Sequence, residues 1–539
     1  MNEENNKNII SVPSILVPKL KGVGSTFFNQ MLEHKTKIAH TDIDTGRTET
    51  YECILQKTIR TSLAMRSKGI KPNDVITICS HTSMDCFIPF YASFFIGAIS
   101  ASIDPKLPQS DIVHLLKLVS PKMIFVIPES IEVIEETLQE LNMNAQIVVI
   151  GKTNKYLSFS EFLLPHPEEN KFIPYEVTNL KDTSVIVFSS GSTGLPKGVC
   201  LTHYGLLGLL YQLRYADLLF ETSILTYANL YWISAVAFTP GCMKYGANRL
   251  IASGCDLHET WAIIKKYKVG GLFLNTFQMI EMCKNGRPEE ADISSLRIVV
   301  YGGAPTTKEQ NIYFQSCFPE AVMQYGYGQT EATGTIITFD PMDPRDLKLM
   351  KEKPASVGRP IPGYLYKIVD PDTEKSLGPN QEGEIRIKSD FLMNGYYKMD
   401  SFDVWDSDGF FKTGDIAYYD EDYFFFIVDR IKELLKYQMW HISPVKLETI
   451  LHAHPAVHAC IVIGVPHEID GDHPMGVVIL KDSAAGTVKE EELQKYVDDQ
   501  VGYHQKLRAG IRFIKKFPLT ASGKISRVQT KRDILEGKL

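Results

Sequence analysis

Between an apolar run and a lysine, the segment 184-SVIVFSSGSTGLPKGVCLTH-203 carries Ser189, Ser190, Gly191, Ser192, Thr193 and Gly194 in unbroken succession. Val185 to Phe188 predict a buried strand. The residues after it supply a backbone that bends sharply, approaches an anion closely and aims N–H groups and hydroxyls at it. Lys197 adds a point charge. Phosphate binding is the chemistry such a loop serves. It is not a P-loop, because no Gly-Lys-Ser/Thr closes it. On composition alone a Ser/Gly-rich segment after a strand is only a flexible connection, so the reading depends on what stands elsewhere in the chain.

Four further segments supply that context. In 301-YGGAP-305, after a predicted strand Leu296 to Tyr301, Gly302 and Gly303 let backbone approach a flat ligand; the bland reading is a tight turn. In 324-QYGYGQTE-331, Tyr327 stands between glycines where its ring could stack on a purine. Beyond Gly328, Thr330 could bond a phosphate oxygen and Glu331 could hold Mg2+ against the phosphates. A Thr-Glu pair in a surface turn is otherwise commonplace. Asp415 closes 409-GFFKTGD-415, and a carboxylate with two acceptor oxygens suits the paired hydroxyls of a ribose; Gly414-Asp415 as a hairpin turn is the alternative. Lys524, in 518-PLTASGKISR-527, is of the type that bridges a carboxylate and a phosphate, although most single lysines are solvated surface groups.

Taken in order, these five motifs resemble those of the adenylate-forming enzymes: acyl-CoA synthetases, 4-coumarate:CoA ligases, beetle luciferases and nonribosomal peptide adenylation domains. The details look closest to the insect luciferase-like acyl-CoA synthetases. The resemblance runs from about residue 20 to residue 535 and includes all ten positions from Ser189 to Gly198. It implies that ATP, Mg2+ and CoA are used, and that an acid, fatty or aromatic, is converted first to an acyl-adenylate and then to a CoA thioester. Carried onto this chain, it makes Lys197, Thr193, Glu331 and Lys524 the catalytic residues, with Glu331 also the Mg2+ ligand. It places Gly302, Gly303 and Ala304 along the adenine and acyl sites, and Asp415 on the ribose. Arg430 becomes a second ribose or phosphate contact at the head of a hinge, and Lys436 a retained position just beyond it. Lys524 corresponds to the lysine that swings in for adenylation.

Two departures stand out. The family commonly reads Lys-Tyr-Lys-Gly-(Tyr/Phe)-Gln after the hinge, whereas 436-KYQMWHISP-444 has Gln438, Met439 and His441 in place of lysine, glycine and glutamine. In the family that loop faces the active site during thioester formation, and its glycine leaves room for the pantetheine arm. In 226-TYANLYWISAVAF-238, Tyr231 or Trp232 stands at the position where luciferases and many ligases carry a histidine. That absence counts against the first competing reading, a luciferase-type monooxygenase. The altered 438 to 441 loop favours the second, a non-catalytic AMP or acyl-CoA binding protein, while retained Glu331 and Lys524 favour activity.

The elements that must position these residues follow from pattern. Strands at Val75 to Cys79, Ala98 to Ile103 and Met123 to Ile127 alternate with helices over 52 to 68, Met84 to Phe95 and Asp111 to Val119, which predicts α/β layers with mostly parallel sheet. Helices over Gly205 to Asp217 and Trp261 to Tyr267 and strands at Gly271 to Leu274 and Leu296 to Tyr301 continue the style. Ile361 to Ile368 and Glu382 to Lys388 predict a small β-rich part. A boundary near 429-DRIKELLK-436 separates an ATP- and acid-binding domain, 1–430, from a smaller mobile α+β domain, 431–539.

A chain of 539 residues with 44 % hydrophobic and 22 % charged residues has the composition of a globular protein, and its net charge of -7 argues against a nucleic-acid binder. Nine scattered cysteines, none in a Cys-x-x-Cys pair, predict reduced intracellular usage. There is no secretory apolar segment at the start and no apolar run of the roughly eighteen residues a membrane span needs. The last residues, Gly537, Lys538 and Leu539, resemble a peroxisomal Ser-Lys-Leu address, so peroxisomal import through its receptor is expected, and a cytoplasmic location otherwise.

Overall fold

A computed structural model describes residues 8–13, 15, 17–18, 20–189, 195–212, 218–219, 221–438, 440–484, 486–519 and 525–539. Two seven-stranded sheets dominate the larger part. The first runs Lys197–Thr202, Thr183–Ser189, Ile99–Ala101, Val75–Cys79, Met123–Val126, Gln146–Val149 and Leu157–Ser158 from edge to edge. It is parallel except for its first pair. The second runs Val322–Tyr325, Ile298–Gly302, Val269–Asn275, Ser223–Thr226, Asn248–Ile251, Ile38–Asp42 and Thr48–Thr50. Strands such as Val75–Cys79 and Ile298–Gly302 are buried at every position, which is why they read as continuous apolar runs rather than alternating ones.

The helix Phe87–Ile96 is buried on every side and packs against the helices Val23–Glu33 and Tyr51–Ser67. It is apolar all round because it has no solvent face, and not because it spans a membrane. Gly97 ends it at φ 74, with a Cβ there 2.5 Å from the Tyr175 ring, so the chain can turn at once into the strand Ile99–Ala101. Truncating a ring such as Phe94 to alanine would cost about 3–5 kcal/mol. Among the described residues no helix is long and apolar enough to cross a membrane.

The predicted β-rich part is an antiparallel sheet whose main strands are Leu365–Val369, Gly383–Lys388, Phe411–Tyr419 and Phe425–Arg430, with a three-stranded sheet, Tyr327–Gln329, Gly334–Thr338 and Arg359–Pro360, in the same half. Arg430 ends the former sheet, and Leu435–Tyr437 opens the next one, which contains Trp440–Ile442, Gly471–Leu480, Val457–His467 and Ile511–Phe513. That last sheet and the helices Pro444–Ala453 and Glu490–Asp498 bury a core of their own, including Leu435, Ile442, Leu451, Val462 and Val478. The architecture is therefore α/β with a large N-terminal domain and a smaller C-terminal one. A buried carboxylate ties the two: Asp429 Oδ2 accepts from the Ser443 hydroxyl at 2.6 Å and from the Val445 N–H at 3.2 Å, at the start of the helix Pro444–Ala453.

Several helices go beyond the sequence expectations, and two of them have patterns that conceal them. Ile233–Tyr245 contains Pro240 and buries residues around most of its circumference, so it shows no apolar stripe. Arg527–Leu535 buries only Thr530, and its apolar Val528 and Leu535 are exposed.

Candidate active site

The strand Thr183–Ser189 pairs antiparallel with Lys197–Thr202, Ser189 opposite Lys197, so the two ends of the serine- and glycine-rich loop are brought side by side at the edge of a sheet. Ser190, Gly191, Ser192, Thr193 and Gly194 lie outside the described residues, and so does Lys524. Facing the paired stem is the short helical turn Thr330–Ala332. Glu331 Oε1 accepts from the Ser189 hydroxyl at 3.2 Å and from the Tyr396 hydroxyl at 3.0 Å. Lys197 Nζ stands 4.8 Å from the centre of the Tyr396 ring, a cation–π distance. Burial and the Glu331 carboxylate both push the Tyr396 phenol up, so it remains a neutral donor at physiological pH. The site thus places two hydroxyls and a carboxylate beside a lysine. The sequence reading missed Tyr396, which lies 65 positions along the chain from its partner.

Gly302 closes the buried strand Ile298–Gly302 between two parallel neighbours, and both Gly302 and Gly303 line a cavity of about 780 Å3. Ser189, Lys197, Gly328, Thr330, Glu331 and Arg430 line the same cavity. Ala304 does not line it; its carbonyl accepts from the Thr276 hydroxyl at 3.0 Å. Gly328 has no alternative, since a Cβ there would stand 2.1 Å from the Gly334 carbonyl oxygen on the paired strand.

Tyr327 and Asp415 form a buried cluster behind this lining rather than part of it. The sequence placed the Tyr327 ring against a purine; here the ring is buried and its hydroxyl donates to Asp415 Oδ2 at 2.6 Å. Gln329 Nε2 donates to the Tyr327 hydroxyl at 3.1 Å and to the Thr413 carbonyl at 3.0 Å, and it also bonds Asp415 Oδ2. Arg430 Nε meets Asp415 Oδ1 at 3.0 Å. That carboxylate raises the Arg430 guanidinium, and burial together with the same carboxylate pushes the Tyr327 phenol well up. Asp415 is held in one orientation by three side chains, with Thr413, Gly414 and Arg430 carrying its surroundings into the cavity. Lys436 is not brought there: it sits on the strand Leu435–Tyr437, exposed, with its N–H 3.2 Å from Asp472 Oδ2. Lys432, a few residues earlier, does line the cavity.

A part of the same cavity is an aromatic chamber lined by Tyr227, Asn229, Trp232, Phe238 and Phe273. The two aromatic positions noted in the sequence divide their roles. Tyr231 is buried against Phe188, ring centres 6.0 Å apart, while Trp232, edge-on to it at 4.8 Å, faces the chamber. Burial holds the Tyr227 phenol up at about 12, and its hydroxyl pairs with that of Thr260 at 2.7 Å.

The paired stem with Lys197, the facing Glu331, Gly302 and Gly303, and the aromatic residues thus lie along one cavity, and the chain belongs to the AMP-binding enzyme family of adenylate-forming enzymes. That family matches residues 27–397, and the AMP-binding enzyme C-terminal domain matches residues 446–524. The luciferin 4-monooxygenase of Nipponoluciola cruciata is 30 % identical over 540 residues, 97 % of each chain. The 4-coumarate–CoA ligase 1 of Petroselinum crispum is 30 % identical over 544 residues, covering 98 % of this chain and 97 % of that one. The structure of the luciferase-like enzyme from the nonluminescent Zophobas morio mealworm is 36 % identical at a TM-score of 0.74, covering 79 % of this chain and 99 % of that one.

Proposed function

We propose that the protein is an AMP-forming acid–CoA ligase whose acid has a fatty or aromatic body. The observation that carries the reading is the continuity of one cavity from Ser189, Lys197 and Glu331 to the chamber at Trp232, Phe238 and Phe273. A carboxylate entering from the chamber would meet the α-phosphate of ATP at the polar end.

In the first step a carboxylate oxygen attacks the α-phosphorus in line, the bond to the bridging oxygen breaks, and pyrophosphate leaves. No protein nucleophile is needed. Positioning and charge neutralisation suffice, and Lys197 with the hydroxyls of Thr330 and Thr193 supplies them. Glu331, Thr330 and Ser189 offer hard oxygen donors at one place, which suits Mg2+ bound through a single carboxylate and substrate phosphates. Bound there, Mg2+ would neutralise phosphate charge. Asp415, oriented by Tyr327, Gln329 and Arg430, serves the ribose; Lys524 completes the adenylation site from the C-terminal domain. In the second step the CoA sulfur attacks the acyl carbonyl and AMP leaves, with the C-terminal domain turning about 431–434. The residues from Lys436 onward then face the site, and the domain division at 430 has its function there.

The test is pyrophosphate release from MgATP across fatty, cinnamic and aromatic acids, each with and without CoA. Acid-dependent release supports the reading, and release indifferent to every acid overturns it. A monooxygenase reading draws on the similarity to the Nipponoluciola cruciata protein. Light on adding luciferin and ATP would establish it.

A further inference from the structure

Away from the cavity, the hairpin of Val457–His467 and Gly471–Leu480 gathers three ligand-type side chains at its tip. His467 lies opposite Gly471 and His473 opposite Val465, so the two histidines are diagonal neighbours on one face of the pair. Their rings stack, centres 4.1 Å apart at 12°. Asp470, in the connecting turn, reaches back between them: its Oδ2 is 3.0 Å from His473 Nε2 and 3.5 Å from His467 Nδ1. Its other oxygen accepts from Gln438 Nε2 at 2.8 Å, and its carbonyl accepts from the Gln438 N–H at 2.6 Å.

We propose that His467, Asp470 and His473 bind a divalent transition cation of the zinc type. Two imidazole nitrogens and one carboxylate oxygen, all within 4.8 Å of one another, are a donor set for such an ion with a fourth position left to water. Ligand distances of about 2.0–2.2 Å require the stacked rings to splay and close on the ion. His467, with 44 % of its side chain exposed, has room to turn. Gln438 acts as the outer partner that fixes the ligating carboxylate, as such groups commonly do. An ion here would pin the hairpin tip to the turn that follows Leu435–Tyr437.

The full chain, free of any affinity tag and stripped with chelator, is titrated with Co2+ by visible spectroscopy and equilibrium dialysis. The expected result is one equivalent bound, the strong visible bands of four-coordinate nitrogen and oxygen ligation, no thiolate charge-transfer band, and displacement by Zn2+. His467→Ala and His473→Ala should each weaken binding by more than the roughly 10–100-fold that loss of an outer partner costs, with Gln438→Ala within that range. His473→Gln keeps a hydrogen-bond donor toward Asp470 but not the ligand, and should lose the ion while its circular dichroism stays that of the parent. Absence of saturable binding, or unchanged affinity in His473→Gln, overturns the proposal.

Discussion

Asp415 and Arg430 stand directly opposite each other on neighbouring antiparallel strands, with Nε 3.0 Å from Oδ1. The pair is unequal: the Asp415 side chain is 4 % exposed and that of Arg430 53 %. Removing the arginine strands a buried charge, whereas removing the carboxylate leaves a guanidinium that water can reach. Arg430→Ala should therefore destabilise the protein more than Asp415→Asn, by about 1–3 kcal/mol, since Tyr327 and Gln329 still serve Asp415. Urea denaturation midpoints of the two variants give the order directly, and the reverse order would refute it.

Asp415 is expected to act on the ribose. Asp415→Asn should raise the KM for ATP more than it lowers turnover, and should narrow the preference for ATP over 2'-deoxy-ATP. Equal discrimination by parent and variant would remove Asp415 from the ribose.

The orientation of Glu331 rests on two hydroxyls, those of Ser189 and Tyr396. Tyr396→Phe keeps the ring beneath Lys197 and deletes only the donor. A hydrogen bond to a charged acceptor contributes about 1.5–3 kcal/mol, so adenylate formation should slow by roughly 10–100-fold. Because both hydroxyls serve one oxygen, Ser189→Ala and Tyr396→Phe should not add in the double variant. Additive losses in a pyrophosphate-release assay would show that they act separately.

What could be read in the sequence divides along physical lines. The strand Val75–Cys79 appears with the bounds its composition predicts. The residues of the Ser/Gly-rich loop could be found because they are contiguous. The Ile233–Tyr245 helix was hidden by Pro240 and by burial that erases periodicity. Tyr396 and Gln329 carried no local signal, since each matters through a partner brought close only by the fold. Tyr327 shows the converse: its motif was legible, but its buried hydroxyl bond to Asp415 was not. The hairpin histidines escaped notice because their spacing has meaning only once the strand register is known.

Two buried histidines make stability fall in acid. Burial holds His203 down at about 4 and His40, next to Arg249 and Lys57, at about 3, against an ordinary value of 6.5. The folded chain then binds fewer protons than the unfolded one, so their contribution is intact above about pH 6.5 and is lost as pH falls toward the folded values. Each tenfold difference in proton affinity between the folded and unfolded chain corresponds to about 1.4 kcal/mol. His203 Nδ1 accepts the Val23 N–H at 3.3 Å, a bond that His203→Gln can replace. Denaturation between pH 7 and pH 4.5 should show a shallower loss of stability in that variant. An identical slope would show that His203 does not contribute.

Whether one cavity joins an acid to AMP before CoA arrives is decided by a single turnover. Enzyme in excess over a turnover-competent acid is mixed with MgATP without CoA, quenched and analysed by mass spectrometry, then repeated with CoA added to the preformed complex. The expected result is an enzyme-bound acyl-adenylate formed with one pyrophosphate per acid, consumed on CoA addition with thioester and AMP appearing together. Thioester formed with no adenylate preceding it, or an adenylate that CoA leaves untouched, would contradict it.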